Sequence, residues 1–159
     1  IKDHEIIWTP KGENENTYRD NIIGITDDGK LKLMANATGE EAINAKIKDG
    51  MVFGPFLIVN GKALEIVGDP WGKSPRMAIA QRKDGVMMFL SIDGRNYIDG
   101  ASLQDVVKTL KLYGAYNAAN LDGGQSSTMV VNGELENNPP AEAKRTKGRY
   151  VVTGWGLIS

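Results

Sequence analysis

The sequence predicts an α+β fold: a hairpin-rich, largely antiparallel or mixed β-sheet core with two packed helices. Three observations carry that expectation. Apolar, β-prone runs recur on either side of Asp-Gly and Asn-Gly pairs, the dipeptides that two-residue hairpin turns favour. Two segments place a capping signal ahead of apolar residues at helical spacing. Neither regular βαβ alternation nor a repeat of fixed period is present, which argues against a parallel sheet or a solenoid. At 159 residues the chain is long enough for one domain with a real core and too short for two, so residues 1–159 are read as a single domain.

Taken in order, Ile6-Ile7-Trp8 is a short apolar patch, and the polar run from Lys11 to Asn16 reads as an exposed loop. Ile22 to Thr26 and Leu31 to Met34 flank Asp28-Gly29 as a first hairpin. Thr38-Gly39-Glu40-Glu41 opens a short helix predicted to run through Ile43 and Ile47 to Gly50, its acidic first turn favourable to the helix dipole. Phe56 to Val59 and Ala63 to Val67 flank Asn60-Gly61. Met77 to Gln81 and Val86 to Ile92 flank Asp84-Gly85. Ser102 caps a second helix in which Leu103, Val106, Val107, Leu110 and Tyr113 share a face before Gly114 ends it. Thr128 to Val131 and Glu134-Leu135 flank Asn132-Gly133, and Tyr150 to Ser159 is predicted as a closing strand.

Composition removes several function classes. A net charge of -1 with mixed signs provides no basic field for nucleic acid. No run of eighteen apolar residues is present to span a membrane as a helix. Without cysteine there is no disulfide framework, thiolate nucleophile or thiolate metal site, and His4 alone makes no histidine cluster. A Ser/His/Asp mechanism would have to recruit His4 from a loose N-terminal arm, where a solvated histidine is the simpler reading. The G-x-G-x-x-G fingerprint and the Walker loop are also absent.

Most of the Asp-Gly and Asn-Gly pairs need only turn chemistry. Two do not fit it. Asp93-Gly94 ends an apolar strand and leads into Arg95-Asn96-Tyr97, placing a carboxylate and a guanidinium at a strand end. Asp122-Gly123 continues as Gly124-Gln125-Ser126-Ser127, too long and too polar for a tight turn. Successive glycines let backbone N–H groups converge on an anion, and the serines add neutral donors. Asp122 supplies a carboxylate that can orient a hydroxyl, act as base or nucleophile, or join a metal shell. An ordinary loop explains the same residues equally well. Arg76 and Arg149 each open a strand, as a solvated charge or as an anion clamp.

The order Phe53-Gly54-Pro55 with Asn60-Gly61, Pro75-Arg76, Asp93-Gly94-Arg95, Gly114-Ala115, Asn120-Leu121-Asp122-Gly123-Gly124-Gln125-Ser126-Ser127, Asn138-Pro139 and Arg149 resembles the phosphodiester glycosidase family, from about Asn21 onward. The family loop usually reads Leu-Asp-Gly-Gly-Gly-Ser-Ser, so Gln125 replaces its third glycine, and Met77-Ala78-Ile79-Ala80 replaces Thr-Ala-Ile-Gly. The resemblance implies hydrolysis of a sugar-1-phosphodiester, of the N-acetylglucosamine-1-phosphodiester kind, to free sugar and phosphomonoester. It implies Asp122 and Asp93 as catalytic carboxylates, and Arg76, Arg95, Gly123, Gly124, Ser126, Ser127, Asn138 and Arg149 as substrate or phosphate ligands. No cofactor is expected, although a divalent cation is compatible with a carboxylate on a glycine loop. Family members carry a further N-terminal segment with an Asn-Gly-aromatic motif, so the expectation is that such a segment or a second chain completes the domain. A secreted or bacterial cell-surface location is the matching expectation. The alternative is a non-catalytic module that binds a surface glycan or teichoic-acid-like polymer through the same loop.

Overall fold

The computed structural model describes every residue except 11, 15, 95–98, 139–149, 152, 158 and 159. The architecture is α+β, as the sequence predicts. Strands β1 (Asp20–Thr26), β2 (Leu31–Ala37) and β3 (Ile47–Val52) form one antiparallel sheet in the order β2-β1-β3. Strands β4 (Phe56–Val59), β5 (Lys62–Ala63), β6 (Arg76–Arg82), β7 (Met87–Ile92) and β8 (Ala115–Leu121) form a second, in the order β5-β4-β8-β6-β7, also with every pair antiparallel. Helices α1 (Gly39–Asn44) and α2 (Leu103–Leu112) cover the outer faces, and β9 (Val130–Val131) with β10 (Glu134–Leu135) makes a separate hairpin.

The layering follows from the two-residue period of the strands. On β1, Ile22 points outward to Ala42 of α1 and to Ile47, while its neighbour Ile23 points inward to Ile79, Ala119 and Phe56 of the second sheet. On β6 the alternation continues, with Ile79 between the sheets and Ala78 and Ala80 beneath α2. The helix drives Leu103, Val106, Val107 and Leu110 onto those alanines and onto Leu57, Ile58 and Ala118, so small residues at the centre of the sheet make room for a close helix. Burying each large side chain contributes about 1.5–3 kcal/mol.

Both predicted caps form complete capping boxes, Thr38 with Glu41 and Ser102 with Asp105. The first helix is shorter than predicted. It stops at Asn44, and Ile47 to Gly50 belong to β3. The physical reason is tertiary: β1 needs a second hydrogen-bonded neighbour, and fully buried Ile47 fills the space left where Gly24 pairs with Gly50. A Cβ on Gly24 would lie 2.5 Å from the Ile47 side chain. Asp49-Gly50 is therefore a strand element and not a turn. The second hairpin closes sooner than predicted, because β5 ends at Ala63 and residues 64–72 leave the sheet. Tyr150, Val151 and residues 153–157, predicted within a closing strand, are in no strand. The sequence reading leaves Ala115–Leu121 unassigned, yet β8 is the central strand between β4 and β6.

At one end the two sheets are tied by Gln81, which is 6% exposed. Its side chain accepts from the Leu31 amide at 2.8 Å and donates to the carbonyls of Gly29 at 2.8 Å and Gly85 at 3.0 Å. Asn117 adds a second tie, donating to Leu31 O at 3.3 Å and accepting from the Asn60 amide at 2.9 Å. Gln81→Leu keeps the volume and strands a buried amide, so its expected cost is about 1–3 kcal/mol. Urea unfolding should show a lowered midpoint with unchanged slope.

Candidate functional site

The opposite end of the five-stranded sheet collects the sequence-predicted residues. Arg76 pairs with Ile92 and Met77 with Leu121, so the start of β6 lies between the ends of β7 and β8. Phe56 pairs with Ala119, which brings Gly54 and Pro55 to the same end. Segments 53–56, 74–76, 93–94 and 122–127 therefore meet there.

Three glycines pack on the backbone of Ser74 and Pro75. A Cβ on Gly123 would lie 2.6 Å from Pro75 O, one on Gly94 would lie 3.0 Å from Pro75 N, and one on Gly100 would lie 2.6 Å from Ser74 O. Gly100 also sits at φ +76, a conformation that favours glycine. Ser74 and Ala101 exchange backbone hydrogen bonds at 3.1 and 3.0 Å, and the Gly124 amide donates to Pro75 O at 2.8 Å. Close backbone approach, rather than turn chemistry, is thus what these Asp-Gly pairs provide. Asp99-Gly100 was read from sequence as an ordinary turn, and only the convergence on Ser74 identifies its role.

The glycine loop runs from Asp122 into a 3₁₀ turn over Gly124–Ser126, with Ser126 N donating to Gly123 O at 3.0 Å and Ser127 N to Gly124 O at 3.3 Å. Asp122 is exposed, Ser126 is 8% exposed and Ser127 is fully buried. The Ser127 hydroxyl is sealed inside without a hydrogen-bond partner. Asp122, Gly123, Gly124, Gln125 and Ser126 line one wall of a cleft of about 710 Å³. The other walls come from Phe53-Gly54-Pro55 and from residues 65–71, with Arg76 between. Asp122 and Ser126 also border a smaller hollow of about 130 Å³ against Phe53, Phe89 and Trp155.

Arg76, 5% exposed, lies beneath this cleft. Its Nη2 donates to both carboxylate oxygens of Asp69 at 2.7 and 2.9 Å and to Gly72 O at 2.5 Å, while its Nε donates to Ala101 O at 2.9 Å. Asp69, missed by the sequence reading, also accepts from the Leu103 amide at 2.9 Å. Burial pushes the Asp69 carboxyl up, but the Leu103 amide, the Arg76 guanidinium and the Trp71 amide outweigh that and hold it below the ordinary carboxylate range. The Asp-Pro pair at 69–70 was the available signal, since this dipeptide opens turns.

Asp93 is half-buried and does not line the cleft. Its two carboxylate oxygens each accept from the Asn138 amide at 3.1 Å. Asn137, also missed, accepts from Met129 N at 2.7 Å and donates to Ser127 O at 2.9 Å, fastening the β9–β10 hairpin beside the glycine loop. Asn138 is exposed. Arg95 and Arg149 lie outside the described residues. Among the described residues no group of three His, Cys, Asp or Glu is placed to hold a metal, and no helix is long and apolar enough to cross a membrane.

Two expectations follow. Gly123→Ala forces a Cβ against Pro75 O and should destabilise by about 1–3 kcal/mol, read as a lowered urea midpoint. The depressed Asp69 carboxyl contributes stability that is fully present above its unfolded pKa of about 3.9 and is lost as pH falls through the lower folded value. Asp69→Asn should therefore be less stable than the parent at neutral pH and should lose less further stability between about pH 4 and 2, measured by urea unfolding at each pH.

Comparison with known proteins gives the family and the fold. The profile described as Phosphodiester glycosidase matches residues 1–158. The SPbeta prophage-derived uncharacterized protein YomE of Bacillus subtilis is 32% identical over 119 residues, covering 70% of this chain and 18% of that protein. The bovine N-acetylglucosamine-1-phosphodiester alpha-N-acetylglucosaminidase is 36% identical over 66 residues, 42% of this chain and 12% of the enzyme. The chain thus spans less than a fifth of the length of either relative. Among solved structures, the catalytic domain of the zebrafish N-acetylglucosamine-1-phosphodiester alpha-N-acetylglucosaminidase, auto-inhibited by its pro-peptide, shares the fold with a TM-score of 0.63 at 22% identity, over 82% of this chain and 50% of that one. A hypothetical protein from Synechocystis shares it with a TM-score of 0.56 at 22% identity, over 83% of this chain and 33% of that one. With the match running almost end to end, the chain belongs to the phosphodiester glycosidase family.

Proposed function

We propose that the cleft binds a sugar-1-phosphodiester and that the chain hydrolyses it at the glycosidic bond, releasing free sugar and a phosphomonoester. The observation that carries the reading is the exposed carboxylate of Asp122, on a glycine loop that forms one wall of a 710 Å³ cleft in a member of this family. The curated relatives named for N-acetylglucosamine-1-phosphodiester hydrolysis support the substrate class.

In this reading the bond between the anomeric carbon and the phosphate oxygen breaks with its electrons leaving on the phosphate, and water supplies the new oxygen on the sugar. Phosphate is already a good leaving group, so it needs donors and positive charge more than a strong acid. Asp122 faces the oxocarbenium-like carbon as nucleophile or as base for the water. The neutral groups lining the cleft beside it are the Gln125 and Ser126 side chains, since the Gly124, Ser126 and Ser127 amides already donate within the loop and to Pro75 O. Arg76 borders the cleft, yet its guanidinium is shared among Asp69, Ala101 and Gly72, so we assign it chiefly to positioning. The compensating cation is then Arg95 or Arg149, which remain the sequence-based candidates. Asp93 serves by holding the Asn137-Asn138 segment against the glycine loop.

The test uses the methyl diester of N-acetylglucosamine 1-phosphate, with reducing sugar as the readout and calorimetric binding alongside. Asp122→Asn should lower turnover by about a hundredfold or more at an unchanged urea midpoint, the scale of a lost acid-base group. An Asp122→Asn protein as active as its parent would remove Asp122 from the chemistry. Binding without sugar release by the unmutated chain would favour the non-catalytic glycan or polymer-binding module.

A further inference from the structure

In the same cleft as the glycine loop, the lining contributed by residues 65–71 carries Trp71, which is left 72% exposed. We propose that Trp71 is a stacking platform for the pyranose ring of the substrate, its turn held at the cleft by the Arg76–Asp69 pair. The proposal rests on the sugar-phosphodiester reading and names the residue that selects the sugar.

Exposure of one aromatic residue is unremarkable by itself. The construction of the turn beneath it carries the inference. Asp69, Pro70, Trp71 and Gly72 form a turn closed by Gly72 N on Asp69 O at 3.0 Å, with proline at the second position, where its fixed φ suits the turn. The Asp69 carboxylate accepts the Leu103 amide at 2.9 Å and Arg76 at 2.7 and 2.9 Å, and the Trp71 amide adds to the polar groups that favour its charged form. Arg76 then takes Gly72 O at 2.5 Å, so both ends of the turn are gripped by the same ion pair. A side chain free to move would fold back onto apolar neighbours such as half-buried Ile66, because exposed apolar surface is unfavourable. Here the bonds to the turn fix the main chain of residues 69–72, and with it the point from which the Trp71 side chain leaves the backbone at the cleft.

The lining of the cleft matches the two characters of a pyranose. A sugar ring has an apolar C–H face and a rim of hydroxyls. The indole offers a flat apolar plate, and Asp122 and Gln125, lining the same cleft, offer polar groups to the rim. Trp8 is comparably exposed at 64%, but it belongs to an apolar groove of about 260 Å³ with Ile6, Ile7 and Val52, away from any carboxylate of the cleft.

The experiment compares Trp71→Ala and Trp71→Phe, surface changes expected to leave the fold intact. In the Asp122→Asn background, calorimetry with the methyl diester should show binding weakened about tenfold by Trp71→Ala and within about threefold of the parent for Trp71→Phe. In the active chain, Trp71→Ala should raise KM about tenfold with a smaller change in kcat. The diester should shift tryptophan emission in the parent and leave Trp71→Phe unshifted. Equal affinity of Trp71→Ala and its parent overturns the platform. If the unmutated chain neither binds nor cleaves the diester, the substrate reading fails on its own. The platform is then judged on methyl glycosides of N-acetylglucosamine, glucose and galactose, where a Trp71-dependent shift sustains it and the absence of one with all three overturns it. A Trp71→Ala effect on sedimentation alone also overturns it, assigning the tip to contact between copies of the chain.

Discussion

The backbone of Ser74, Pro75 and Arg76 is the support on which the candidate site is assembled. Gly94, Gly100 and Gly123 approach it too closely for any Cβ, and the Gly124 amide hydrogen-bonds to Pro75 O. Arg76, the first residue of β6, extends the same support into the 69–72 turn and the entry to α2. Three residues thus set the positions of the loops after β7 and β8 and of the turn before β6. An ion pair in which Arg76 is buried and Asp69 half-buried is weak evidence for added stability, since removing charge from water is itself costly. Its visible effect is geometric: four hydrogen bonds from one guanidinium, two to the Asp69 carboxylate and one each to Gly72 O and Ala101 O, hold the 69–72 turn and the entry to α2 in place.

Much of the fold was legible in the sequence, because local chemistry and tertiary structure agree there. The Asp28-Gly29, Asn60-Gly61, Asp84-Gly85 and Asn132-Gly133 pairs all sit between antiparallel strands, and both capping boxes form. Failures fall where a residue answers to a distant neighbour. Ala115–Leu121 has low β-propensity, since alanine and asparagine gain nothing from an isolated strand. Its small side chains are explained only by α2 lying over Ala118 and by strands on both sides. Ile47 continued a helical pattern in sequence, but its partner is Gly24, more than twenty positions earlier.

The site divides along the same line. Asp122 and its glycines stood out because no hairpin requires so long and polar a loop, and the structure places them on a cleft. Arg76 also stood out, yet sequence could not separate a charge aimed at a ligand from one aimed at Asp69, seven residues away. Asp69, Asn137 and Trp71 left weaker traces because their significance lies in what they touch. For phosphate chemistry this has a definite consequence. The Asp69 carboxylate offsets the charge of the Arg76 guanidinium, and Nε and Nη2 are committed to Ala101 O, Asp69 and Gly72 O, which weakens its pull on an anion in the cleft.

The Gln81 and Asn117 ties lie at the end of the sandwich farthest from the cleft, where the Asp28-Gly29 and Asp84-Gly85 turns meet. At the cleft end the sheets are joined as well, because the chain crosses there from β3 to β4: the Phe53 amide donates to Asn21 O of β1 at 3.2 Å, the Asn120 amide of β8 donates to Pro55 O at 3.0 Å, and the Asn120 side chain donates to Gly54 O at 3.0 Å. The two ends differ in which groups do the joining. Side-chain amides close the Gln81 end, whereas the main chain of residues 53–55 closes the other, and the same stretch lines the cleft. A change at Gly54 or Pro55 is therefore felt at once by the cleft and by the strap between the sheets.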